Sequence, residues 1–260
     1  MLDEPSLVAY LVAGDPSPEA SLELASAVLE LADVLELGVP FSDPIADGPT
    51  IQRGVQRALK AGTRLSHVLD IARALKRERG KPIVLMTYYN PVLRRGVRRF
   101  VEDLASAGVD ALIVVDLPVD EADELLDSCR ESGVGTVFLA SPNTPDDRLR
   151  LICERSTAFV YLVSLYGTTG AREELSPLAL ALLERAKRVC SRPLAVGFGV
   201  SRPEHVERLV EEGADGVVVG SAFVEIVERL GAGAGPALAE KARELKEAVS
   251  RAARARGSAR

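Results

Sequence analysis

A carboxylate interrupts an apolar run in Val34-Leu35-Glu36-Leu37-Gly38. Read as a strand, that run alternates its side chains, so Leu35 and Leu37 share one face and Glu36 takes the other. Leucines suit a face covered by helices, which turns Glu36 towards the interior. A carboxyl placed there is desolvated, its pKa rises towards neutrality, and it becomes fit to trade protons. The competing reading is a strand-end charge in solvent or in a structural ion pair. Directly downstream, Pro40-Phe41-Ser42-Asp43-Pro44-Ile45-Ala46-Asp47-Gly48-Pro49 sets two acids among three prolines. Proline limits the freedom a loop loses on ordering, so this loop is shaped, and its acids are candidates for a second proton-handling group beside Glu36. Capping or turn formation ahead of a helix is the other use of such aspartates. Two carboxylates with no phosphate-bearing loop nearby in sequence are thin grounds for magnesium.

A different chemistry is suggested by glycine. Gly197-Phe198-Gly199-Val200-Ser201, Gly220-Ser221 and Leu165-Tyr166-Gly167-Thr168-Thr169-Gly170 each follow a short apolar run. Glycine lets backbone N–H groups approach phosphate oxygens, and a helix N-terminus adds partial positive charge without a lysine. Any one of these loops alone reads as a turn; three at equivalent ends of strands form a phosphate pocket, with 165–170 as its lid. Aromatic residues are few, and Tyr88, Tyr161 and Phe198 fall near strand ends, where they suit either a flat apolar substrate or the core. His67 and His205 lie in helical stretches and are assigned to surface or packing.

The elements that must position these residues follow from periodicity. Apolar runs at 7–12, 34–38, 83–87, 111–115, 135–139, 160–164, 194–197 and 216–219 read as strands. Helical stretches intervene at 19–31, 51–79 with a break near Gly62, 97–107, 121–131, 178–188 and 204–211, and a last helix covers 237–252. Strict alternation demands parallel strands, and eight units favour an α/β fold closed as a single (β/α)8 TIM barrel, with an open doubly wound sheet as the alternative. Ala107-Gly108-Val109-Asp110-Ala111-Leu112-Ile113-Val114 recurs as Glu212-Gly213-Ala214-Asp215-Gly216-Val217-Val218-Val219, four units later, which supports the barrel. In such barrels the site lies at the C-terminal ends of the strands, with phosphate held after strands seven and eight. One domain is expected over 1–260, with 251–260 a frayed basic tail.

Composition excludes several classes of function. With 47% hydrophobic and 27% charged residues and a net charge of -6, the chain is a folded protein without the basic footprint of a nucleic-acid or anionic-lipid binder. Small molecules or another protein are the expected partners. No basic segment leads into an apolar core at the N-terminus and no apolar run approaches a membrane span, so a cytoplasmic location is expected. Cys129, Cys153 and Cys190 form no close pair or metal-ligand spacing and are read as reduced thiols.

Six segments, LELGVPFSDPIADGPTIQ, MTYYNPV, VDLPVDEADEL, YGTTG, GFGVS and VVVGSAFV, together resemble the tryptophan synthase alpha subunit family in order and spacing over nearly the whole chain. That resemblance implies reversible retro-aldol cleavage of indole-3-glycerol phosphate to indole and glyceraldehyde 3-phosphate, with no metal or organic cofactor in this chain. It implies that Glu36 protonates indole C3 and helps to deprotonate the glycerol hydroxyl, and that Asp47 holds the indole N–H. Tyr161 and Phe198 match positions of the indole pocket, Tyr88 matches another residue lining the site, and Thr169 matches the lid threonine that closes toward the loop aspartate. Gly170, Gly199, Gly220 and Ser221 match the phosphate cradle. Asp43 and Pro44 match the loop that communicates with a beta subunit, a pyridoxal-phosphate protein that receives the indole in an alpha-beta-beta-alpha complex. The chain departs from the family in having only about six residues before Leu7, which implies a less covered barrel bottom, and in lacking a glycine in the connection into the second strand. Another phosphate-binding barrel of the same pathway and a non-catalytic activator of the beta subunit are the competing functions.

Overall fold

Apolar runs too short for helices pair edge to edge in this chain, and each is returned to the next by an amphipathic helix. The computed structural model describes residues 1–163, 176–197 and 199–258. Its strands are β1 (Ser6–Val12), β2 (Val34–Gly38), β3 (Ile83–Thr87), β4 (Ala111–Val114), β5 (Gly135–Ala140), β6 (Phe159–Val163), β7 (Leu194–Gly197) and β8 (Gly216–Val219). All pair in parallel and in chain order, and β8 closes on β1 with Ser6 opposite Gly216 and Ala9 opposite Val219. The open-sheet alternative is thereby removed.

The helices are α1 (Pro18–Leu29), α2 (Pro49–Lys60), α3 (Leu65–Arg79), α4 (Tyr89–Arg95), α5 (Val97–Ser106), α6 (Asp123–Ser132), α7 (Asp146–Arg155), α8 (Pro177–Val189), α9 (Pro203–Glu211), α10 (Ser221–Leu230) and α11 (Gly235–Ser258). The break near Gly62 separates α2 from α3: Gly62 adopts φ 78°, a left-handed conformation that ends the first helix. The basic segment from Arg251, expected to fray, continues α11 to Ser258.

Strand alternation divides the core in two. Leu35, Leu37, Leu85, Leu112 and Val217 face the helices in one large outer layer. Val8, Val34, Val84, Ile113, Phe159 and Val218 fill the barrel interior. Leu2, only 3% exposed, joins that interior set together with Met1, and its Cδ1 packs where a side chain on Gly216 would stand. The barrel bottom is therefore plugged by the first two residues, which corrects the expectation of a poorly covered end. A second correction concerns the cysteines: Cys153 and Cys190 form a disulfide with Cα atoms 5.5 Å apart. Their spacing in sequence conceals that α7 ends, and α8 is capped, at the same end of neighbouring helices. Cys129 is free and buried.

Candidate active site

The strand end that carries Glu36 is built by alternation. With Leu35 and Leu37 committed to the outer layer, Glu36 is turned inward and is 1% exposed. Its Oε2 is buried without a hydrogen-bond partner. Burial, and then the nearby charge of Asp47, push its pKa up to about 8. An orphaned carboxyl oxygen in a core costs free energy, and sites that tolerate it are commonly functional.

Asp47 is delivered by the shaped loop. Ile45 N–H donates to the Asp43 carbonyl at 2.9 Å and Asp47 N–H to the Pro44 carbonyl at 3.1 Å, so the chain turns twice before Gly48 caps α2 and Pro49 opens it. Gln52 Nε2, one turn into that helix, donates to the Asp47 carbonyl at 2.8 Å. The Tyr88 hydroxyl donates to Asp47 Oδ2 at 3.0 Å and accepts from Ala46 N at 3.0 Å, which ties the loop to the end of β3. Phe41 tilts against the Tyr88 ring with centroids 5.2 Å apart. Burial raises the Asp47 pKa to about 6 against the lowering effect of the Tyr88 hydrogen bond. Asp47 ionises first, so Glu36 titrates beside an existing negative charge while Asp47 does not. Asp43, by contrast, is exposed at the loop tip, where it accepts from the Ser42 hydroxyl at 2.6 Å, and neighbouring Pro44 is partly exposed.

Two further phenols surround the acids. Tyr161 on β6 crosses to β7, where a Cβ on Gly197 would lie 2.6 Å from its hydroxyl oxygen. Tyr10 on β1 does the same to β2 at Gly38, at 2.3 Å. Both phenols are pushed above the ordinary tyrosine pKa, chiefly by burial and then by the charges of Asp47 and Glu36, which places all four groups in one electrostatic environment. Sequence reasoning missed Tyr10. The alternation that turned Glu36 inward, applied to β1, turns Val8, Tyr10 and Val12 the same way.

Among the glycine loops, Gly199 has φ 66°, a conformation that glycine adopts freely. Gly220 is the N-cap of α10 and Ser221 its first residue, so the amino end of a ten-residue helix opens at the end of β8. Ser201 Oγ is buried without a partner in the loop after β7, which sequence reasoning marked for phosphate without giving Ser201 a role of its own. Phe198, Thr169 and Gly170, with the rest of the 165–170 loop, lie outside the described residues.

A closed eight-stranded barrel with two desolvated acids at the C-terminal end of its strands, and a glycine-capped helix opening after the eighth, defines a protein of the (β/α)8-barrel enzyme class. The model of the family described as tryptophan synthase alpha chain matches residues 2–255. The tryptophan synthase alpha chain of Pyrococcus abyssi is 54% identical over 245 residues, covering 94% of this chain and 99% of that protein. That of Thermococcus kodakarensis is 55% identical over 229 residues, 88% and 91% of the two chains. A chain from the tryptophan synthase a2b2 complex of Pyrococcus furiosus superposes with a TM-score of 0.89 at 55% identity, covering 92% of this chain and 97% of that one. This chain belongs to the tryptophan synthase alpha chain family.

Proposed function

We propose that this chain cleaves indole-3-glycerol phosphate reversibly to indole and glyceraldehyde 3-phosphate, as a carbon–carbon lyase of tryptophan biosynthesis. The observation that carries the proposal is the buried, partnerless Glu36 carboxyl, protonated near neutral pH, beside a more acidic Asp47. Two acids held apart in pKa divide acid and base roles between them. The Asp47 carboxylate accepts the indole N–H and draws the ring towards its indolenine tautomer while protonated Glu36 delivers its proton to C3. The resulting Glu36 carboxylate takes the proton of the glycerol hydroxyl next to the ring. Electrons of that O–H bond form the aldehyde carbonyl, the carbon–carbon bond breaks, its pair restores the C2–C3 double bond of indole, and the proton held at Asp47 returns to the ring nitrogen.

Substrate is held from two sides. Tyr88, Tyr161 and Phe198 bracket the indole, Thr169 closes toward Asp47, and backbone N–H groups of Gly170, Gly199, Gly220 and Ser221 hold the phosphate with the amino end of α10. Asp43 and Pro44, on the outside of the loop that carries Asp47, couple the site to a beta subunit that receives the indole. An alpha-beta-beta-alpha assembly is supported by the likeness to a chain of the a2b2 complex. Pyridoxal phosphate belongs to that partner, and the steps assigned to this chain use its own side chains. No described helix is long and apolar enough to cross a membrane.

Glu36→Gln should lower cleavage by at least ~100-fold, the usual contribution of a positioned acid–base group, while a glycerol-phosphate analogue still binds. Indole release from substrate, with and without a beta subunit, measures the first and calorimetry the second. Wild-type turnover by this variant would refute the assignment.

A further inference from the structure

Glu36 gives up its proton in the reaction proposed above, and a buried carboxylate then needs a donor. The strands flanking β2 offer it two direct neighbours: Tyr10 of β1 and Val84 of β3 stand opposite Glu36 in the sheet register. Val84 has no polar atom. Tyr10 is 5% exposed and, like Glu36, projects into the barrel, on strands about 4.8 Å apart. Its ring rises towards the mouth, because its hydroxyl lies 2.3 Å from where a Cβ on Gly38 would be and its Cδ1 lies 3.3 Å from the corresponding point on Gly220. Gly38 follows Glu36 by two residues on the same face, roughly 7 Å along the strand, a gap that a glutamate side chain spans. The phenol O–H and the Glu36 carboxyl thus lie on adjoining strands and face the same end of the barrel, and in this structure no hydrogen bond joins them.

Of the other polar groups at that end, Asp47 and Tyr88 are committed to each other, and Tyr161 stands on a strand four places from β2 around the barrel. Asp47, from the loop after β2, brings a second negative charge. The Tyr88 hydroxyl, from the end of β3, donates to Asp47. The Tyr161 hydroxyl, from β6, lies over Gly197 of β7. We propose that the Tyr10 hydroxyl is the hydrogen-bond donor that holds the Glu36 carboxylate after its proton has moved to the substrate, making Tyr10 a positioning residue of the cleavage. The inference rests on the catalytic reading of Glu36, and it accounts for glycine at Gly38, where a Cβ would stand 2.3 Å from the phenol oxygen.

Tyr10→Phe keeps the ring and removes the donor. Carbon-13 NMR of the side-chain carboxyls, with Glu36→Gln assigning the resonance, reads the Glu36 titration directly. Loss of a donor to the charged form moves the midpoint up by roughly 0.5–1 pH unit. Cleavage should fall several-fold in kcat with KM changed less than about twofold. Fluorotyrosine at position 10, a stronger donor, should move the midpoint the other way and serves if the phenylalanine variant folds poorly. A Glu36 midpoint unmoved by either change overturns the inference, whatever the activity. Midpoints that move in a chain with no cleavage in any form support the hydrogen bond and sink the catalytic reading instead.

Discussion

Glu36 and Asp47 are both acids whose folded pKa lies above the unfolded value, and both claims about pH follow from that sign. The proposed reaction requires Asp47 ionised and Glu36 protonated, so cleavage should rise as pH passes about 6 and fall as it passes about 8, with a maximum near 7. A kcat/KM profile flat from pH 5 to 9 would contradict the division of roles. Stability runs one way only. Below the unfolded carboxyl pKa both states are protonated; as pH rises, the unfolded chain ionises first, and the folded chain loses stability until its own acids titrate. Glu36→Gln should therefore match the parent near pH 4 and exceed it near pH 8.5 by a few kcal/mol, at about 1.4 kcal/mol for each pH unit that separates the folded and unfolded midpoints, measured by urea unfolding. Glu36 was legible in the sequence because two leucines flank it and the strand period is two. The place of Tyr10 beside Glu36 was not, because an aromatic in an apolar strand looks like core until its neighbours are known to be Glu36 and two glycines.

At the scale of the elements, the sequence repeat has a mechanical meaning. Asp110, just before β4, accepts from Ile83 N of β3 at 2.8 Å and pairs with Lys76. Asp215, before β8, accepts from Leu194 N of β7 at 3.0 Å and lies 3.8 Å from Arg256. Asp33, before β2, does the same for β1: it accepts from Leu7 N at 2.7 Å and from Lys246 at 2.6 Å. Each aspartate satisfies a backbone donor where its neighbouring strand begins, and so pins the register of a strand pair at the end opposite the acids. The third copy lacks the glycine that made the other two recognisable, so only its aspartate marks it. Asp33→Ala leaves the Leu7 N–H without this partner and breaks a partly exposed ion pair; a loss of about 1–3 kcal/mol is expected, with kcat unchanged at low temperature. Denaturant unfolding beside an indole-release assay checks both, and a fall in kcat without a fall in stability would show that the bottom of the barrel reaches the site. The strands at 34–38, 83–87, 194–197 and 216–219 were readable to the residue, because Val, Ile and Leu runs end at glycines or polar turns. Helices α4 and α7 were not assigned: α4 is seven residues long and begins at Tyr-Asn-Pro, and α7 opens Asp-Asp-Arg-Leu-Arg-Leu, where alternating arginine and leucine mask the helical period.

At the scale of the whole molecule, eight alternating units were enough to anticipate closure, yet nothing local revealed which helices meet around the outside. The disulfide is the clearest case. Cys153 and Cys190 lie 37 residues apart, and only the return of α8 alongside α7 brings them together at the end of the barrel where strands begin. Closing a loop of that length restricts the unfolded chain and contributes about 4 kcal/mol in the chain-entropy account. The staple is remote from Glu36 and Asp47, which sit where strands end. Cys190→Ser should therefore lower unfolding stability by up to ~4 kcal/mol while leaving indole release at moderate temperature within about twofold of the parent. Thiol titration of the denatured, unreduced chain provides the independent check: one reactive thiol, from Cys129, is expected before reduction and three after it. Three thiols before reduction would mean that the two cysteines stand close without a bond, and the stability cost of Cys190→Ser should then shrink to that of a small packing change.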